Sequence, residues 1–131
     1  MQTAKKLLIA FHAITSFMQF GLGAWILLGL TSLLSATHMV YSDDLKVFST
    51  FFGVCLFIFG SLGVVAISFN LQDKRDGLFL SKFVGWWMVI AAAVVMVEIR
   101  RADLAVVDLV RGVCILAAAY SVKRHYPAKD L

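Results

Sequence analysis

The sequence predicts an all-α membrane protein, with four transmembrane helices in an up-down-up-down antiparallel bundle and one domain over residues 1–131. Three observations carry this. The chain is 61% hydrophobic and only 15% charged, with a mean hydropathy of +0.88, whereas soluble domains carry about 25% charged residues. Four apolar runs fill most of its length, at about 7–34, 45–69, 78–97 and 104–122, each at or near the roughly 20 residues a helix needs to cross a bilayer core. The links at 35–44, 70–77 and 98–103 are short, which makes consecutive helices antiparallel neighbours.

The first run follows a basic start, Met1 to Lys6, that resembles the n-region of a signal peptide. The run is too long for a signal h-region of about 7–15 residues, and Leu34 stands where cleavage after Ala36 wants a small residue. A retained helix is expected. Its polar residues Thr15, Ser16 and Gln19 are expected to bond neighbouring helices or carbonyls. The second run begins after Ser42 and Asp43, either of which can cap it. Asp76 is the expected cap of the third helix and Asp103 of the fourth. Asp43, Asp44 and Asp103 also place negative charge near positive helix N-termini. Asn70 suits a helix end, and Pro127 lies beyond the last run and stops it.

Lysine and arginine counts set the orientation. Lys5, Lys6, Lys74, Arg75, Lys82, Lys123, Arg124 and Lys129 fall on one side; Lys46, Arg100, Arg101 and Arg111 fall on the other. Both termini are therefore expected in the cytoplasm, in a plasma membrane of the bacterial inner-membrane kind. Trp86, Trp87, Tyr120 and Tyr126 toward one rim, and Trp25 and Tyr41 toward the other, read as interfacial belts. The net charge of +4 follows from this topology, and nucleic acid is not an expected partner.

Lipid tails are as apolar as leucine, so small residues mark the seams between helices. Gly53, Gly60 and Gly63 with Ser49 mark one face of the second helix. Gly85 and Ala91 to Ala93 mark the third, and Ala105, Gly112 and Ala119 the fourth. Gly53, Gly60, Gly63 and Gly112 are the expected helix-packing positions. The bulky Phe51, Phe52, Phe57, Phe59 and Phe69 fit lipid, a partner or the core equally well.

One constellation of charge stands out: Glu98, Arg100, Arg101, Asp103, Asp108 and Arg111. Asp108 shares the face of Ala105 and Gly112, which points inward, and Arg111 is near enough to lie beside it. Charges inside a membrane are costly and usually face the interior with a partner. Glu98 ends the third helix, where the dipole disfavours an anion. A pair with Arg111 or Arg101 is expected across the turn. The cluster reads as a structural network locking the hairpin, as a conduction or ligand site, or as a docking surface.

Other chemistry is thinly represented. Cys55 and Cys114 lie at similar depth without a CxxC motif and read as buried thiols. His12 and His125 lie toward the same rim, and His38 lies near Asp43 and Asp44, but neither grouping matches a ligand motif. No catalytic residues, no metal and no cofactor are expected. No proline interrupts a span, so the broken-helix signature of many transporters is absent. In size and span count the chain resembles the small multidrug transporters, whose first span carries a glutamate. The first span here has no acidic residue, and that function is not carried over.

The expected function is therefore non-enzymatic: association within the lipid bilayer as an accessory or assembly subunit of a larger membrane complex, with other membrane subunits or a second copy as partner. The alternative is a small oligomeric transporter or channel using the buried Asp/Arg/Glu cluster.

Overall fold

A run of apolar residues unbroken by proline satisfies its backbone hydrogen bonds internally only as a helix, and the chain forms long ones. The computed structural model describes residues 2–123. Four helices follow in order: α1 (Thr3–Thr37), α2 (Asp43–Leu71), α3 (Arg75–Glu98) and α4 (Ala102–Lys123). Each reaches past its apolar run into the polar flanks. Three segments, Thr3–Ser32, Asp43–Leu71 and Arg75–Glu98, are long and apolar enough to cross a membrane. These features are consistent with a membrane protein. The fourth helix is 22 residues long and carries Asp108 and Arg111 within it. Pro127, His125, Tyr126, Arg124 and Lys129 lie outside the described residues.

The helix ends show which local signals operate. Ser42 caps α2, its hydroxyl accepting from the Leu45 N–H at 3.1 Å. Asp76 does not cap α3, because the helix starts one residue earlier and Lys74 occupies the cap position. Asp103 likewise falls inside the first turn of α4, and its carboxylate is taken by Arg101. Asn70 lies just inside the end of α2, fully buried. Each of the three turns contains one non-glycine residue in the left-handed region: His38, Asp73 and Arg100, with φ of 56°, 55° and 56°. After α1 the Met39 N–H bonds to the Leu34 carbonyl at 2.9 Å, and after α2 the Lys74 N–H bonds to Phe69 at 2.9 Å. These are the long-range bonds of a Schellman-type ending. Gly29 breaks α1 with φ −142° and ψ 42°, one of the recognised causes of a helix kink.

Packing is paired. α1 lies chiefly on α2 and α3 chiefly on α4, with α2 against α3 and α1 against α4 closing the arrangement. The main core joins Leu8, Phe59, Leu78, Val84, Met88 and Ile115. Phe59 stacks on Trp87 with centroids 4.3 Å apart, so Trp87 belongs to the core rim rather than only to a belt. Phe51, by contrast, faces outward, as do Phe17, Leu28 and Phe79. So many exposed large apolar side chains on every helix would form an aggregating surface in water and suit hydrocarbon.

The glycines are contact points. A Cβ on Gly53 would stand 3.0 Å from Leu27, and one on Gly60 would stand 3.1 Å from Phe20. One on Gly63 would overlap the Ser16 hydroxyl. Gly112 and Gly85 face each other: a Cβ on Gly112 would lie 2.8 Å from the Gly85 carbonyl oxygen. Side chains there would hold the backbones apart. Among the described residues, a Cβ on Gly21 would meet nothing within 4 Å.

Candidate functional site

The buried stripe of α4 runs through Ala105, Asp108, Gly112, Ile115, Ala119 and Val122. The three-four alternation keeps these positions on one helical face. Asp108 is therefore carried inward by its neighbours, and 8% of its surface is exposed. Arg111, three residues on, pairs with it through Nη2 and Oδ1, and both side chains are 12% exposed. Among the described residues, the Nε of Arg111 is buried without a partner.

The expected network does not form as a whole. Glu98 is exposed, and among the described residues it makes no ion pair. Arg100 is exposed in its left-handed turn. Arg101 instead forks onto Asp103, with Nε–Oδ1 at 2.8 Å and Nη2–Oδ2 at 2.6 Å. Its remaining nitrogen donates to the Thr37 carbonyl at 2.6 Å, a cation on the carbonyl end of α1 where the helix dipole favours it. A partner two residues away costs less chain entropy to hold than Glu98 across the turn. The hydrogen bond from Arg101 holds the Asp103 carboxyl down at about 2, and Asp103 in turn raises Arg101 above its usual value.

The six charges thus divide into a buried pair on α4, an exposed rim pair, and two exposed residues. The buried pair borders a cavity of about 190 Å³. All four helices contribute to its wall, which is mostly apolar, with Ile26, Phe48, Phe52 and Val95 among its residues. Thr37, Ser49, Asp108 and Arg111 supply its polar groups. A second cavity, of about 10 Å³, lies between Gln19 and Asp108 beside Cys55 and Met88. That is about the volume one water requires.

Sequence reasoning missed a second polar cluster. His12, toward the start of α1, is fully buried. Its Nε2 lies 2.8 Å from the Ser81 hydroxyl, across the diagonal between α1 and α3. Ser81 donates to the Gly77 carbonyl at 2.7 Å and accepts from Asn70 Nδ2 at 3.1 Å. Asn70 also donates to the Ala66 carbonyl at 2.8 Å. At the adjoining end, the Lys5 ammonium meets the Asp73 carboxylate at 2.5 Å. The available signal was the spacing of Lys5, His12, Ser16 and Gln19 along one face of α1.

Thr15, Ser16 and Gln19 are buried, but among the described residues the Ser16 hydroxyl and Gln19 Oε1 have no partner. Cys55 and Cys114 are free and half-buried. No family model, curated protein or solved structure matches the chain.

Proposed function

We propose that this chain is a four-span antiparallel bundle that passes a small polar solute or ion through its own interior, with Asp108 and Arg111 as its polar site. Both termini lie in the cytoplasm, on the side richer in lysine and arginine. The protein is not an enzyme; it binds and conveys.

One observation carries the reading. The buried ion pair lies within a single helix and borders a cavity. A pair joining two helices would lock them together. A pair three residues apart on α4 locks nothing, yet its desolvation still costs several kcal/mol per ion before attraction is counted. Intramembrane ionisable residues that face a cavity mark ion or substrate paths. The unpartnered Nε of Arg111 supports the same reading, since a bound oxygen atom would satisfy it.

The second reading is an accessory or assembly subunit. Its support is Gly21, whose surroundings on α1 are open and leave room for the backbone of another helix. The other seams count less toward it, because this chain's own helices fill them.

The test is flux through the purified protein alone. Vesicles containing it are mixed with potassium chloride, ammonium chloride, glycerol or urea, and shrinkage and recovery are followed by light scattering. At least one solute is expected to enter faster than into protein-free vesicles, and Asp108→Asn with Arg111→Gln is expected to abolish the excess. If no solute enters faster, the transport reading fails and the accessory reading takes its place.

A further inference from the structure

Among the described residues, four side chains besides Arg111 carry a polar atom that is buried and unpartnered: His12 Nδ1, Ser16 Oγ, Gln19 Oε1 and Asn70 Oδ1. Each residue is at least nine-tenths buried, with exposures of 0%, 4%, 2% and 0%. Such atoms are rare in folded proteins and call for water, an ion or a function. All four accept hydrogen bonds, and they are not scattered. Gln19 borders the small cavity it shares with Asp108. Ser16 lies one turn away on the same face of α1, and His12 one turn further. Ser16 and His12 both approach Gly63, where a Cβ would overlap the Ser16 hydroxyl and lie 3.7 Å from His12 Nδ1. His12 reaches Ser81, Ser81 holds Asn70, and Asp73 with Lys5 stands at the end of that turn.

We propose that this file is a proton relay joining the Asp108 cavity to the opposite rim, with His12 as the residue that takes up and releases the proton. The hydrogen bonds fix the resting tautomer. Ser81 spends its own proton on the Gly77 carbonyl, so its oxygen accepts from His12. His12 therefore carries its proton on Nε2 and presents a bare Nδ1. A proton brought by water past Gln19 and Ser16 forms an N–H bond at Nδ1 as an O–H bond of that water breaks. The Nε2–H bond then breaks as an O–H bond forms on a water beside Ser81 and Asn70. One proton enters and one leaves, and rotation of the ring restores the starting tautomer. Apart from His12 itself, the charged or titratable groups on the surrounding elements include Lys5 on α1, Cys55 on α2, Lys82 on α3, Asp108 and Arg111 on α4, and Asp73 in the turn. None is hydrogen-bonded to the imidazole. The ammonium of Lys82 lies over Tyr120.

The inference rests on the four-span reading but needs no solute in the larger cavity. The test uses full-length protein in phosphatidylcholine–phosphatidylglycerol vesicles holding a pH-sensitive dye. A potassium gradient with valinomycin supplies the driving force. Wild-type vesicles are expected to change internal pH faster than protein-free ones. His12→Gln and Gln19→Leu, each checked for monodispersity and an unshifted melting temperature, are expected to fall to the protein-free rate. Proton flux no faster than in protein-free vesicles overturns the relay, and so does full flux in either folded variant. If His12→Gln does not fold, Ser16→Ala replaces it under the same criterion. Proton flux without flux of any solute leaves the relay standing and removes the transport reading. Solute flux without proton flux removes the relay alone.

Discussion

Replacing Asp108 by asparagine removes the charge facing Arg111 and leaves the volume nearly unchanged. Both side chains of the pair are 12% exposed, so water screens them little. Breaking a buried pair by removing one member costs about 3–5 kcal/mol, because the survivor stays buried and uncompensated. Arg111 borders a cavity of about 190 Å³ and can turn partly into it, so the lower end, about 3 kcal/mol, is expected. Adding Arg111→Gln removes the stranded charge. Because the pair joins no second helix, most of the stability should return. Thermal unfolding in mild detergent, followed by tryptophan fluorescence, reads both variants against wild type. The reasoning is refuted if Asp108→Asn melts with wild type, or if the double variant stays as unstable as the single one. The first result places Asp108 in water or headgroups. The second makes the pair part of a network between helices.

Four further outcomes are expected. Gly112→Ala pushes against the Gly85 carbonyl oxygen at 2.8 Å and should cost about 1–3 kcal/mol, while Gly21→Ala, with nothing within 4 Å, should gain about 0.5–1 kcal/mol; detergent melting curves of the two variants check both signs. Arg100→Gly relieves a left-handed non-glycine residue with φ of 56° and should stabilise by about 0.5–1 kcal/mol after glycine's entropy cost, read in the same way. The Asp103 carboxyl is held at about 2 in the folded chain by the hydrogen bond from Arg101, below the ordinary aspartate value of 3.8. A lowered acid contributes stability above the unfolded value and loses it as pH falls through the folded one, so the melting temperature of wild type should converge on that of Arg101→Gln between pH 4 and pH 2, and no convergence would count against the rim pair. In a background lacking Cys55 and Cys114, Ser42→Cys should react with an impermeant thiol reagent from outside intact cells and Gln72→Cys only after lysis; the reverse pattern would invert the topology.

The parts of this structure that depend on a single helix were legible in the sequence. The stripe from Ala105 through Asp108 to Gly112 fixed which way α4 faces, and the neighbouring position of Arg111 followed from helical geometry. The cap of α2 was legible as Ser42 or Asp43, since either side chain can accept from the first-turn N–H groups, and Ser42 is the one that does. Asp76 and Asp103 were misplaced because helices α3 and α4 start at Arg75 and Ala102, and a shift of two residues turns a cap into a first-turn position. Glu98 was given Arg111 or Arg101 as a partner, and Asp108 holds the first while Asp103 holds the second. Proximity in sequence offered several arginines and no means of ranking them. The His12–Ser81–Asn70 cluster was beyond reach for another reason. Its members come from three helices, with His12 and Ser81 separated by 69 positions, and only the diagonal packing of α1 and α3 joins them. The turns at His38, Asp73 and Arg100 had no glycine to announce them.

The central claim is that the Asp108–Arg111 pair lies in a cavity that water reaches from one face of the membrane. Ser49 lines the same cavity, and Ser49→Cys changes one atom. In membrane vesicles of the background without native cysteines, an impermeant thiol reagent applied on the side where Ser42→Cys reacts is expected to modify Ser49→Cys. Modification only from the side where Gln72→Cys reacts, or only after the membrane is dissolved, would contradict the claim.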